Sequence, residues 1–307
     1  MRMSRYVVSL GGNALGNDAE EQKNLLKFVA KPIVELIVAG HEVVIVHGNG
    51  PQVGMINLAF TESTFTPHMP FPECGAMSQG YIGFHLQNAI RNELERHAVT
   101  QTVGALVTQV EVDEHDPAFN DASKPIGAFY TKEQADRIIK EKGYVMKEDA
   151  GRGWRRVVPS PLPVDVIEKA MVKSLLDAGH VVICAGGGGV PVIRKEGRLE
   201  GVAAVIDKDY ASAKIAELVE ADYLIILTAV EHVYVNFNKP DQKALERVAS
   251  SDFEPYIEAG EFAKGSMYPK IRACIGFLEK TDKTCVISSL AKASEAFRLE
   301  TGTIITK

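Results

Sequence analysis

The chain is poor in several features that mark special classes of protein. Only four of its 307 residues are cysteine (Cys74, Cys184, Cys274 and Cys285) and none forms a C-x-x-C pair, which excludes a disulfide scaffold. They read as reduced, mostly structural thiols of a cytoplasmic protein. No apolar run reaches the ~18 residues of a membrane helix. Arg2 and Arg5 give a basic start, but Gly11 and Gly12 cut short the apolar stretch Tyr6–Leu10, and Asp18, Glu20 and Glu21 follow. No export signal is therefore expected, and no membrane association. Positive charge is not in excess: 34 Lys+Arg against 40 Asp+Glu leave a formal net charge of −6. That balance argues against a nucleic-acid or membrane-surface binder, yet allows a small basic pocket for an anion. A G-x-x-x-x-G-K-[ST] loop, a G-x-S-x-G elbow and a zinc motif are all missing. Gly48…Gly54 has the wrong spacing for a dinucleotide fingerprint.

What is present is ordinary for a globular enzyme, at 46% hydrophobic and 24% charged residues. The length suits two units or one large α/β sheet. Short apolar runs, Tyr6–Leu10, Val43–His47, Ala105–Val110, Val181–Ala185, Tyr223–Thr228, Thr284–Ser288 and Thr303–Thr306, predict strands covered on both faces. Helical spacing fills the intervals, notably Ser78–His97 and Val164–Ala178. The alternation predicts an α/β sandwich with a mainly parallel sheet, whose ligands sit beyond the carboxyl ends of the strands. From about Val112 to Pro163 the chain turns polar and punctuated, which reads either as an insertion standing off the sheet or as a long surface loop. Ala39-Gly40-His41 and Ala178-Gly179-His180 each precede a buried strand and a glycine-rich loop, one local solution used twice rather than a repeat fold.

Three glycine-rich loops follow predicted strands: Gly11-Gly12-Asn13, Gly48-Asn49-Gly50 and Gly186–Gly189. Such loops either turn tightly or cradle phosphate and carboxylate on backbone N–H groups. Asp207-Lys208-Asp209 opens one helical pattern and Gly265-Ser266-Met267-Tyr268-Pro269-Lys270 another. Asp207 and Ser266 are good caps, but Lys208 and Lys270 place cations at the positive end of a helix. A solvated lysine neutralised by neighbouring aspartates explains one such residue; two make sense if a polyanion completes both sites. Lys124, on the inserted segment, is a third candidate cation. Fixed cations plus backbone N–H groups are what phosphoryl transfer asks of a protein. His47, which ends a strand beside a glycine loop, is expected to be a hydrogen-bonding strut.

In combination, Leu10-Gly11-Gly12-Asn13-Ala14-Leu15, His47–Gly54, Ser123-Lys124-Pro125-Ile126-Gly127, Arg155–Pro161, Gly186–Gly189, Asp207-Lys208-Asp209 and Gly265–Lys270 resemble carbamate kinase, of the amino acid kinase superfamily. The resemblance implies an open α/β/α sandwich around a mostly parallel sheet of about eight strands: one domain over residues 1–307. Residues to about 200 would serve carbamate and carbamoyl phosphate, with a lid-like insert near 115–160, and residues 201–307 the nucleotide. It implies a homodimer, Mg²⁺, and reversible transfer between ATP and carbamate, run toward ATP in arginine breakdown. Lys124 and Lys208 would contact the migrating phosphoryl group, with Asp207 and Asp209 orienting Lys208; Asp209 is the better placed as the organising aspartate, and service to the metal or the nucleotide is the alternative role for Asp207. Gly11, Gly12, Asn13, Gly48, Asn49 and Gly50 would cradle carbamate and phosphate. Lys270 would hold nucleotide phosphates, with Met267, Pro269, Tyr234, Gly186 and Gly187 also on the nucleotide side. Two departures matter. Ser9 stands where other members of the superfamily carry a lysine, which gives Lys124 the task of replacing that cation. Ala229-Val230-Glu231 stands where the pattern more often reads Asp-Val-Asp.

Overall fold

The computed structural model describes residues 3–16, 18–149 and 151–307. Arg2 and the side chain of Asn13, both singled out from the sequence, lie outside the described part.

Among the described residues the centre is an eight-stranded sheet. From one edge its strands run Arg247–Ala249, Thr303–Thr306, Thr284–Ser289, Tyr223–Thr228, Arg5–Leu10, Glu42–His47, Val181–Ile183 and Val103–Ala105. All neighbouring pairs are parallel except Thr284–Ser289 with Thr303–Thr306, which is antiparallel. Successive side chains of a strand point to opposite faces, and here both faces are apolar. Val7, Val44 and Val46 enter one core with the helices Lys208–Leu218 and Met267–Lys280. Tyr6, Val8, Val43 and Ile45 enter the other with the helices Ala19–Val38 and Phe71–Arg96. This is the expected three-layer sandwich, and it brings the C-terminal ends of the central strands to one rim. All four cysteines are free and buried.

Two sequence expectations need correction. Ala105–Val110 is not one strand. The sheet strand ends at Ala105, and a new strand, Gln109–Val112, begins in a separate four-stranded sheet with Pro163–Val166, Val190–Lys195 and Arg198–Gly201. The break lies where Gln79 grips the backbone: Thr108 N–H donates to Gln79 Oε1 at 2.8 Å, and Gln79 Nε2 donates to Thr108 O at 3.1 Å. A side-chain amide there substitutes for a neighbouring strand. The predicted helix Val164–Ala178 also divides. Pro163–Val166 is a strand, with Val166 opposite Val110, and the helix starts at Lys169. Glu168 holds the junction by accepting from Gln109 N and Nε2 at 2.8 and 2.9 Å.

The polar insertion is not a surface loop. Its strands Lys124–Tyr130, Met146–Glu148 and Trp154–Val158 form a separate three-stranded sheet, and Lys132–Lys142 is helical. That helix is self-sufficient at both ends, with a Thr131–Gln134 capping box and a left-handed Gly143 stop. The insert rests on the helix Gly50–Glu62. A small cluster of Val53, Phe71, Cys74, Ile126 and Val158 seals the contact. The backbones come so close that a Cβ on Gly54 would lie 2.5 Å from Gly127 Cα, so any side chain at position 54 must push the insert away from the helix.

Candidate active site

The Lys208 helix begins at the rim of the sheet, capped by Asp207, whose Oδ1 accepts from Asp209 N at 3.0 Å. Lys208 is thus the first helical residue. Its ammonium is not a solvated surface charge: the side chain is only 12% exposed. It donates to Ser9 Oγ at 2.9 Å and Asp209 Oδ1 at 2.5 Å. Ser9 in turn donates to the same Asp209 oxygen at 3.1 Å. The other carboxylate oxygen, Asp209 Oδ2, accepts from Lys270 Nζ at 2.8 Å. One buried carboxylate therefore holds two ammonium groups from two helices. Lys124, from the insert, reaches across to Asp207 Oδ2.

Burial alone would raise the Asp209 carboxyl, but the ammonium groups of Lys208 and Lys270 overcome it and hold the group well below the usual carboxylate range. Burial also pulls Lys208 below the ordinary lysine value; Asp209 opposes that pull and Lys270 adds to it. Three cations face two carboxylates, an excess of one positive charge before any anion enters.

These groups line a cavity of about 230 Å³ together with Gly12, Gly48, Asn49, Gly50, Pro125, Ile126, Gly187, Val205, Ile206, Ser266 and Pro269. Gly50 is the first residue of its helix, so that helix aims its positive end at the same space. His47 is fully buried behind the loop, with Nδ1 2.7 Å from Gly48 O. Burial pushes its pKa down to about 4, with Lys208 adding to the effect and the Gly48 carbonyl opposing it. It is a neutral strut at ordinary pH, as expected. A larger cleft of about 820 Å³ lies at the opposite end of the strands. Its lining sets three carboxylates, Glu35, Asp222 and Asp282, against two cations, Lys283 and Arg298, so it lacks the cationic excess of the rim cavity.

The sequence profile described as the amino acid kinase family matches residues 4–289. A carbamate kinase of Clostridium perfringens (strain 13 / Type A) is 52% identical over 313 residues, covering 99% of this chain and 100% of the relative. A carbamate kinase-like protein of Escherichia coli (strain K12) is 53% identical over 306 residues, covering 98% of each. Among solved structures, a carbamate kinase from Giardia lamblia bound to AMP-PNP superposes with a TM-score of 0.92 at 41% identity, covering 99% of both chains. The chain belongs to the carbamate kinases of the amino acid kinase family.

Against that membership the sequence-based site residues can be placed one by one. Lys124, Asp207, Lys208, Asp209, Lys270, Pro269, Gly12, Gly48, Asn49, Gly50 and Gly187 share the cavity. Gly11 does not line it; its N–H donates to Leu227 O at 3.1 Å. The Gly48 N–H likewise donates to Leu10 O at 3.1 Å, so both amides extend the sheet rather than face an anion. Asn49 lines the cavity with its side chain tied down, its Nδ2 donating to Ser78 Oγ at 2.8 Å. Gly186 packs under His47, where a Cβ would meet the ring at 2.4 Å, and a Cβ on Gly187 would meet Asn49 Nδ2 at 2.0 Å. The protein's own packing therefore demands those two glycines. Met267 leans on the core and Tyr234 sits in a two-stranded hairpin, 5.9 Å from the Phe237 ring; neither reaches the cavity. Sequence reasoning noted Ser9 only as a missing lysine. The structure shows it joined to both Lys208 and Asp209, in the place where a lysine would add a cation against Lys208. Val205 and Ile206 also escaped notice, because nothing in their residue type signals a cavity wall.

Proposed function

We propose that the protein catalyses reversible phosphoryl transfer between ATP and carbamate, giving ADP and carbamoyl phosphate. The observation that carries this reading is the meeting of Lys124, Lys208 and Lys270, from three remote segments, at one small cavity with only two carboxylates between them. Phosphoryl transfer requires in-line placement and neutralisation of the equatorial oxygens, with little covalent work for the protein. Lys208 and Lys124 neutralise the group in flight. Lys270 holds the nucleotide phosphates, and the Gly12 loop and the start of the Gly50 helix receive the carbamoyl side. Asp209 fixes the separation of Lys208 and Lys270, so these cations are in place before substrate arrives and need not reorganise during the reaction. His47, neutral and facing the loop carbonyl, takes no proton.

Magnesium belongs to the nucleotide in this reading. Asp207 and Asp209 are both occupied by ammonium groups, and among the described residues no cluster of three or more His, Cys, Asp or Glu is placed to hold a metal. These residues do not form a resident metal site. The ion enters as the nucleotide complex, on phosphate oxygens and water.

The enzyme is proposed to work in the cytoplasm as a homodimer. The strand Val103–Ala105 is an open edge of the main sheet, and the exposed Phe84 and Val107 flank it. Unpaired edges beside apolar side chains favour a protein partner. Light scattering at twice the 33.4 kDa chain mass would agree, and a monomer would not.

The activity test is coupled ATP formation from carbamoyl phosphate and ADP, with carbamate, acetylglutamate, aspartate and glutamate compared in the forward direction. Turnover with carbamate is expected. Turnover of an amino acid and none of carbamate would overturn the assignment. The favoured direction in a cell follows from metabolite concentrations, since one catalyst accelerates both; a cell degrading arginine would draw it toward ATP.

A further inference from the structure

Arg155 and Arg156 stand in the same sequence run as the other motifs, yet neither reaches the cavity. Arg155 is accounted for within the insert: it donates to Gly127 O at 3.0 Å and pairs with Asp149 at 3.2 Å. Arg156 is different. Its guanidinium lies over the Tyr144 ring at 3.7 Å and near the Phe71 ring at 5.5 Å, and it donates to Asn57 Oδ1 at 3.1 Å. No Asp or Glu pairs with it among the described residues. Tyr144 belongs to the insert, whereas Asn57 and Phe71 belong to the two helices beneath it. A half-buried guanidinium without a carboxylate is costly, and an apolar residue would fill the space more cheaply. What the arginine adds is a directional bond across the seam.

The strand register shows what that bond controls. Arg156 lies directly opposite Ile126, and Val158 opposite Lys124. Residues two apart on a strand share a face, so Lys124, Ile126, Arg156 and Val158 all lie on the side that meets the helices. Ile126 and Lys124 line the cavity. We infer that Arg156 is a positioning residue for Lys124: by fastening the insert to Asn57 and Phe71 it fixes where the Lys124 ammonium stands in the transfer cavity. This rests on the reading that Lys124 neutralises the migrating phosphoryl group.

A double-mutant cycle tests it on the full-length enzyme, with Arg156→Met, Lys124→Ala and the double variant. Arg156→Met keeps the volume and removes the fork. It is expected to lower kcat roughly 10- to 100-fold, the cost of misplacing a catalytic group by about 1 Å. ADP affinity, read by calorimetry, is expected to stay within about twofold, because Lys208 and Lys270 hold their positions through Asp209. In the Lys124→Ala background the same change is expected to cost less than about threefold, since there is no longer a lysine to position. Multiplying losses, or an unchanged kcat in Arg156→Met, would overturn the inference while leaving the function standing. A Lys124→Ala enzyme with full activity would instead overturn the Lys124 reading, and this inference with it. Should Arg156→Met fail to fold, Arg156→Lys carries the same cycle: it retains the charge but not the fork, and is expected to restore only part of kcat.

Discussion

Replacing Gly54 by alanine probes the docking of the insert with one methyl group. The added Cβ would lie 2.5 Å from Gly127 Cα and 2.7 Å from Gly127 N, both backbone atoms that cannot rotate away. Carbon atoms rest about 3.5–4.0 Å apart, so the insert must retreat by about 1 Å. Lys124 is three residues from Gly127 on the same strand and moves with it. A displacement of about 1 Å at a catalytic group costs on the order of 100-fold in rate. Stability should respond differently. Gly54 is inside a helix, where alanine is favoured by roughly 1 kcal/mol. That gain offsets part of the ~1–3 kcal/mol expected from overpacking, because the insert can shift as a unit. Gly54→Ala is therefore expected to lose kcat in the coupled ATP assay while melting within a few degrees of the parent. A kcat within about twofold of the parent would refute the claim that this glycine contact sets the position of Lys124.

Two further perturbations address the rest of the site. His47 has a folded-state pKa near 4 against an ordinary value of 6.5, so between those pH values the unfolded chain binds the extra proton. Stability from this group is then full above pH 6.5 and lost as pH falls toward 4, by about 3 kcal/mol, and His47→Asn should flatten that part of a pH series of denaturant melts. An equally steep loss in the variant would assign the acid sensitivity elsewhere. Gly48→Ala places a Cβ 3.6 Å from Lys208 Cδ and 3.7 Å from Gly12 N, ordinary contacts that leave the fold intact but cover the Gly12 amide. KM for carbamoyl phosphate should rise severalfold with Tm little changed; an unchanged KM would remove the Gly12 amide from the substrate contacts.

How much of this was legible in the sequence depended on which physical signal each part carries. The central strands of the main sheet are covered on both faces, so Tyr6–Leu10 and Tyr223–Thr228 stand out as continuous apolar runs, whereas the edge strand Arg247–Ala249, short and part-exposed, gives no such run and is not among the expected strands. The strands of the four-stranded sheet do not: Gln109–Val112 alternates burial and Arg198–Gly201 is mostly exposed. Their pairing is fixed instead by Gln79 and Glu168, side chains 29 and 59 residues distant from the backbone they hold, and no local pattern encodes such bonds. Lys208 and Lys270 were legible because a lysine at a helix start violates a local rule, and the structure supplies the reason in Asp209. Glycines were legible as glycines but not by purpose. Gly12 and Gly50 open onto the cavity, Gly186 makes room for His47, and Gly54 makes room for Gly127, a distinction that only the neighbours reveal. Arg156 is equally silent in sequence, since its partners Asn57 and Phe71 lie on helices distant along the chain.

The central claim is that buried, pre-set ammonium groups act on phosphate in transit more than on bound nucleotide. Lys208→Ala tests it most directly, with kcat for ATP formation from carbamoyl phosphate and ADP measured alongside the calorimetric Kd for ADP. The account predicts a fall in kcat of at least ~100-fold, the usual cost of removing one such charge-stabilising group, with ADP affinity reduced only severalfold. Equal losses in kcat and in ADP affinity would contradict it.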